Sequence, residues 1–168
     1  MANKYVKLSS GQLAEQEALV TSAGAGDAGK IVALDGSGKL DTTVMPTGIG
    51  ADTASITASE NLAAGDLINL HDSTGIKVRK ADASNGRRAD GFVLSSVTSG
   101  NPGTVYFEGQ LTGLSGLTVG ATYYLSGGTA GAIVTTAPST GGHIVQEVGR
   151  AISTSVIVFE PQMPITLA

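Results

Sequence analysis

From about Ser55 onward, short apolar runs alternate with turn residues at the spacing of a β-sandwich or β-barrel. Residues 67–70, 76–78, 91–94 and 104–108 form the first four runs, and 122–125, 132–135, 143–148 and 155–159 complete the set. Between them lie clusters such as Asp72-Ser73-Thr74-Gly75, Asn101-Pro102-Gly103 and Ser126-Gly127-Gly128. These are turn chemistry, with glycine supplying positive φ and proline a fixed φ. Val105 and Phe107 fall on one strand face and Tyr106 and Glu108 on the other, so one face is core and the other meets water or a partner. Pro161 and Pro164 cannot continue a central strand, which places a domain at 56–160 and a C-terminal tail at 161–168.

Residues 1–55 follow a different period. Ser9 and Gln12 have the spacing of a capping box, and Leu13, Leu19 and Val20 predict a short helix over 10–20. Residues 21–30 are rich in Gly, Ala and Ser, and 31–34 read as a short strand stopped by Asp35-Gly36-Ser37-Gly38. The region holds too few apolar residues in register to close a core. The expected architecture is therefore all-β, a barrel or sandwich domain preceded by an extended N-terminal arm with a short helix.

Composition narrows the function. The chain has 168 residues, 41% hydrophobic and 14% charged, where an ordinary domain carries about 25% charged residues. Its surface is thus built from small neutral side chains. With 24 glycines, 4% aromatic residues and no tryptophan, it lacks the large rigid side chains that line deep ligand pockets. The absence of cysteine removes disulfides, thiolate metal sites and cysteine nucleophiles together. A net charge of −4 argues against nucleic acid, whose backbone demands clustered Lys and Arg. The one basic cluster, Lys77, Arg79, Lys80, Arg87 and Arg88, is interleaved with Asp72, Asp82 and Asp90 and reads as a solvated loop. No run approaches the ~18 apolar residues of a membrane span, and the start lacks the apolar stretch of a secretory signal. Synthesis in the cytoplasm is expected.

The residues from Gly24 to Lys30 match both G-x-G-x-x-G and G-x-x-x-x-G-K. A phosphate loop must follow a buried strand and open a helix. Here the preceding segment reads as helical and the following one as a short strand, and Ile31 stands where a magnesium-binding hydroxyl belongs. A glycine linker is the better reading. His71 beside Asp72 has the composition of an oriented base, although a histidine beside a turn aspartate is more often plain surface. The other histidine, His143, has no ligand partner at metal spacing. Ser115 misses the G-x-S-x-G elbow by one position. Glu108 and Glu147 lie in strand-like segments, and outward carboxylates that protect strand edges are preferred over a converging glycosidase pair. In Tyr123-Tyr124 strand alternation sends one ring to the core and one to the surface. No catalytic residue, cofactor, metal or small-molecule substrate emerges.

Residues 64–161 resemble the small all-β cement, or decoration, proteins of bacteriophage capsids. The resemblance is carried by Ala64-Gly65-Asp66-Leu67-Ile68-Asn69-Leu70, Ala89-Asp90-Gly91-Phe92-Val93-Leu94, Gly103-Thr104-Val105-Tyr106-Phe107-Glu108-Gly109, residues 117–126 and residues 145–151. Residues 29–41 are similar to a stretch found in phage structural proteins. The resemblance implies a homotrimer on the outer capsid surface of the virion that clamps neighbouring major capsid subunits, with no active site. A tail-fibre or receptor-binding module is the alternative, and a glycan-processing enzyme the next. Apolar positions Tyr5, Val6, Leu13, Leu19 and Ile31 are the candidate capsid contacts, because an arm ordered across a repeating lattice gains affinity from repetition.

Overall fold

Ser10 and Gly11 turn the chain back on itself near its start. Both have positive φ, 51° and 82°, the pairing of a two-residue hairpin turn whose twist matches the flanking strands. Strand β1 (Lys4–Ser9) thereby pairs antiparallel with β2 (Gln12–Glu17), in a register running from Ser9 opposite Gln12 to Lys4 opposite Glu17. This corrects the helix expected over 10–20. The residues after Gly11 have good helix propensity, but tertiary pairing overrides it, since upstream Tyr5 to Leu8 alternate and offer a complete ladder partner. The Ser-Gly dipeptide was the legible sign of the turn.

The computed structural model describes residues 3–45 and 51–168, and the chain divides into two units, Met1–Gly50 and Ala51–Ala168. In the first unit, the strand expected at 31–34 is reduced to one parallel bridge between Leu19 and Val32. Two short 3-10 turns flank it, Ala25–Asp27 before and Thr42–Val44 after, the latter capped by Asp41, whose carboxylate accepts the Thr43 N–H at 2.9 Å. No side chain among residues 3–45 is buried. Hairpin and turns thus stand in place of an extended arm with a helix, and no core closes them.

The second unit is built from antiparallel strands: β3 (Thr53–Thr57), β4 (Leu67–Asp72), β5 (Ile76–Lys80), β6 (Gly91–Phe92), β7 (Pro102–Tyr106), β8 (Gly109–Leu111), β9 (Thr122–Leu125), β10 (Ile133–Val134), β11 (Ile144–Val145), β12 (Glu147–Ala151), β13 (Ile157–Phe159) and β14 (Ile165–Thr166). One five-stranded sheet has the order β3-β7-β6-β4-β5, a second β10-β9-β12-β13-β8, and β11 pairs with β14. Neither large sheet closes into a barrel. The outer strands of the first approach each other at a single bridge, Ala58 to Val78. No α-helix occurs among the described residues.

Each of the eight apolar runs contains a strand, and 143–148 divides at Gln146 into β11 and the start of β12. The residues beyond Glu160 do not hang free as a tail. Ile165 and Thr166 pair with Val145 and Ile144, and the Leu167 N–H donates to the His143 carbonyl at 2.9 Å.

Two apolar clusters organise this unit. Leu67 and Phe92 of the first sheet pack with Leu111, Leu125, Ile157 and Phe159 of the second. Their sequence neighbours Ile68 and Val93 point the other way, to Ile56, Val78 and Val105. The central strands of the first sheet are therefore buried on both faces, which explains their continuous apolar runs. Phe92 lies at 5.3 Å from Tyr106, stacked, and at 5.3 Å from Phe159, edge-on. Burying each such ring contributes about 1.5–3 kcal/mol. Asn69 and Gln146 are buried with every polar side-chain atom partnered.

Candidate functional site

The loop that mimics a phosphate cradle supplies its own anion. Asp27 accepts the Ala23 N–H at 2.7 Å, and Lys30 donates to its other oxygen at 2.6 Å. The Lys30 hydrogen bond, followed by that of Ala23, lowers the Asp27 carboxyl pKa below its ordinary value, and the same partnership raises that of Lys30. The lysine that would reach a phosphate is thus neutralised within the loop, and a bound phosphate would meet a carboxylate.

Among the other chemical candidates, Asp72 turns away from His71 to accept the Gly75 N–H at 3.1 Å in the β4–β5 turn. His71 Nε2 instead meets Ser59 Oγ at 2.8 Å, a contact invisible in the sequence because 12 positions separate the two. Ser59 Oγ also lies 3.1 Å from the Val78 carbonyl, and no carboxylate hydrogen-bonds the ring among the described residues. The pair fastens the residues after β3 to the β4–β5 hairpin and lacks the orienting acid of a nucleophile–base relay. Glu108 sits in the turn before β8 rather than in a strand, whereas Glu147 opens β12 opposite Tyr124. Strand β13 lies between β8 and β12 in their sheet, so the two carboxylates do not meet across one strand pair. Tyr123 is buried, and its hydroxyl accepts the Thr118 N–H at 2.9 Å, while Tyr124 points to the opposite face.

Two of the five residues of the basic cluster, Lys80 and Arg88, are ion-paired among the described residues, and Arg79 bonds a neutral amide. Arg88 meets Asp90 at 2.6 Å, Lys80 meets Asp66 at 3.1 Å, and Arg79 donates to Asn69 at 2.9 Å. Two open concavities in the second unit contain no charged side chain. One of about 820 Å³ is bounded by Leu114, Leu117, Tyr123, Ile133 and Thr135, and one of about 360 Å³ by Ser95, Thr98, Asn101 and Tyr106. Among the described residues, no three His, Asp or Glu side chains gather at metal-binding distance.

Exposed large apolar side chains occur in both units, Ile76, Val119, Ile152, Met163 and Ile165 in the second and a denser set in the first. Val6 is 63% exposed, Leu13 79% and Ile31 55%, whereas Tyr5 and Leu19 are half-buried inside that unit. Tyr5 serves an internal contact, its hydroxyl accepting the Ile31 N–H at 3.3 Å. The sequence reading thus combined three outward residues with two inward ones. It missed Leu8, 71% exposed, together with Val32, Leu34 and Leu40. Alternation with Val6 was the available signal for Leu8. No protein-family model, curated protein or solved structure matches the chain.

Proposed function

We propose that this protein is a non-enzymatic structural protein of a phage virion. It binds the outer surface of the assembled capsid as a homotrimer and stabilises the shell by clamping neighbouring major capsid subunits. The observation that carries this reading is the first unit, in which no described side chain is buried while Val6, Leu8, Leu13, Ile31, Leu34 and Leu40 stand open to water. A segment that leaves these six side chains exposed and has no core of its own gains its favourable burial from another protein. The resemblance of residues 64–161 to capsid cement proteins names the kind of protein surface. Lys30, Lys80 and Arg88 are each paired with an aspartate, which weighs against phosphate or an acidic polymer as the ligand at those three side chains.

The mechanism is a linkage. A clamp that touches several subunits adds its binding free energy to every opening of the shell, since opening must first break those contacts. Repetition over the lattice makes modest affinity per contact sufficient. The test is to heat capsids that lack a decoration protein, alone, with full-length chain, and with chain lacking residues 1–50. Full-length protein should co-sediment with intact shells and raise their melting temperature, and the shortened chain should do neither. Full-length protein that neither co-sediments nor shifts melting would replace this reading with the tail-fibre or receptor-binding module.

A further inference from the structure

The β1–β2 hairpin carries complementary free edges. In a hairpin closed by a two-residue turn, the flanking pair Ser9 and Gln12 exchanges hydrogen bonds, and bonded and non-bonded pairs then alternate. The Ala18 N–H bond to the Asn3 carbonyl, 2.8 Å, continues that alternation. The backbone N–H and C=O groups of Lys4, Val6 and Leu8 therefore point out from β1, and those of Leu13, Glu15 and Glu17 point out from β2. Among the described residues no backbone group meets them. Past Glu17 the β2 edge is occupied, because Leu19 bonds to Ile31 and Ala33. The same six residues share one face of the hairpin, so the exposed side chains of Val6, Leu8 and Leu13 form its apolar stripe.

We propose that this hairpin is the self-association element of the protein, the β1 edge of one copy pairing antiparallel with the β2 edge of the next. With hairpin tips aligned, that register sets Lys4, which also meets Glu15 of its own hairpin at 2.9 Å, opposite Glu17 of the next copy, Val6 opposite Glu15 and Leu8 opposite Leu13. The like-edge alternatives are poorer. Two β2 edges related by a two-fold axis through their centres set Glu15 against Glu15, and two β1 edges set Lys4 against Leu8. Opposite charges across a ladder stabilise and like charges destabilise. A contact between two different edges is head-to-tail, and it closes into a ring when the rotation allows. Closure leaves no hairpin edge open and turns the stripe of Val6, Leu8 and Leu13 inward, where copies cover one another. Ile31, Leu34 and Leu40 then remain for the shell, a division that rests on the functional reading above, whereas the self-association itself does not.

The experiment uses the full-length chain without capsids, in sedimentation velocity over a concentration range reaching about 100 µM. The expected result is a discrete oligomer larger than a dimer. Val6→Pro removes an outward N–H, a position where an edge strand tolerates proline. It should yield monomers while the amide contacts between Lys7 and Ala14 persist by NMR. Lys4→Glu, which also removes the Lys4–Glu15 pair within the hairpin, should weaken association at least about tenfold while the Lys7–Ala14 amide contacts persist by NMR, and adding Glu17→Lys should restore association. Loss of those contacts in parallel with association would assign the effect to hairpin folding and overturn the charge argument. A monomer throughout, a two-fold dimer, or an oligomer unaffected by Val6→Pro would overturn the proposal. Because no shell is present, failure of self-association and failure of shell binding are read separately.

Discussion

Replacing Gln146 by leucine tests how the second unit is held together. The Gln146 side chain is 2% exposed and makes three hydrogen bonds. It accepts the Ala89 N–H at 2.7 Å and donates to the carbonyls of Ala89 at 3.0 Å and Gln162 at 3.1 Å. Leucine nearly conserves the volume but leaves both backbone groups of Ala89, itself 2% exposed, without a partner. Each stranded buried group costs about 1–3 kcal/mol. Gln162 is exposed, so its carbonyl finds water at little cost. The expected loss is about 3 kcal/mol, which lowers the melting temperature of a unit of this size by roughly 10 °C. Calorimetry and urea unfolding of the full chain measure it. Gln146→Glu adds a pH signature. A carboxylate can accept from the Ala89 N–H but repels the two carbonyls, so burial and those oxygens raise the folded-state pKa above the unfolded value. Its stability contribution is then fully present below the unfolded pKa and is lost as pH rises through the folded one. A leucine variant within about 0.5 kcal/mol of the parent, or a glutamate variant that gains stability with rising pH across that range, would refute the reasoning.

Gly149, at φ 146° in the middle strand of the second sheet, leaves no room for a side chain, since an added Cβ would lie 2.0 Å from the Val158 carbonyl oxygen. Gly149→Ala should cost at least about 3 kcal/mol, combining backbone strain with separation of β12 from β13, and hydrogen exchange at Arg150 and Val158 should accelerate. Phe92→Ala removes the ring between Tyr106 and Phe159 and should cost about 3–5 kcal/mol, read by denaturant unfolding. The Asp27 carboxyl pKa is held down by Lys30 and the Ala23 N–H, so its ordering effect on the loop is present above the unfolded carboxyl pKa. That effect is lost as pH falls through the folded value, which the Ala23 amide shift should follow, and Asp27→Asn should abolish the transition.

How much of this was legible depends on where the partners lie along the chain. The strands from Leu67 to Phe159 announced themselves because apolar runs bounded by Gly and Pro need no distant partner to be recognised, and every run contains a strand. The all-β class followed from that pattern. Strand β3 and the short β8 and β14 carry weak patterns of their own and exist through the neighbours they pair with. The N-terminal hairpin was concealed by helix propensity at residues 12–17, and only its ladder with Lys4 to Ser9 reversed that preference. The sequence also indicated that the first fifty residues would not close a core, because their apolar positions are few and out of register.

Tertiary structure alone decided which side chains face which partner. It sent Leu67 and Ile68 to different clusters and satisfied Gln146 with a residue 57 positions away. It also turned Tyr5 inward while leaving Val6, Leu8 and Leu13 outward. The physical reason is that propensity, turn chemistry and apolar periodicity are local properties carried by a few consecutive residues. Burial and hydrogen-bond satisfaction instead depend on groups brought together across the whole chain, and an unpartnered buried group is too costly for local preference to prevail.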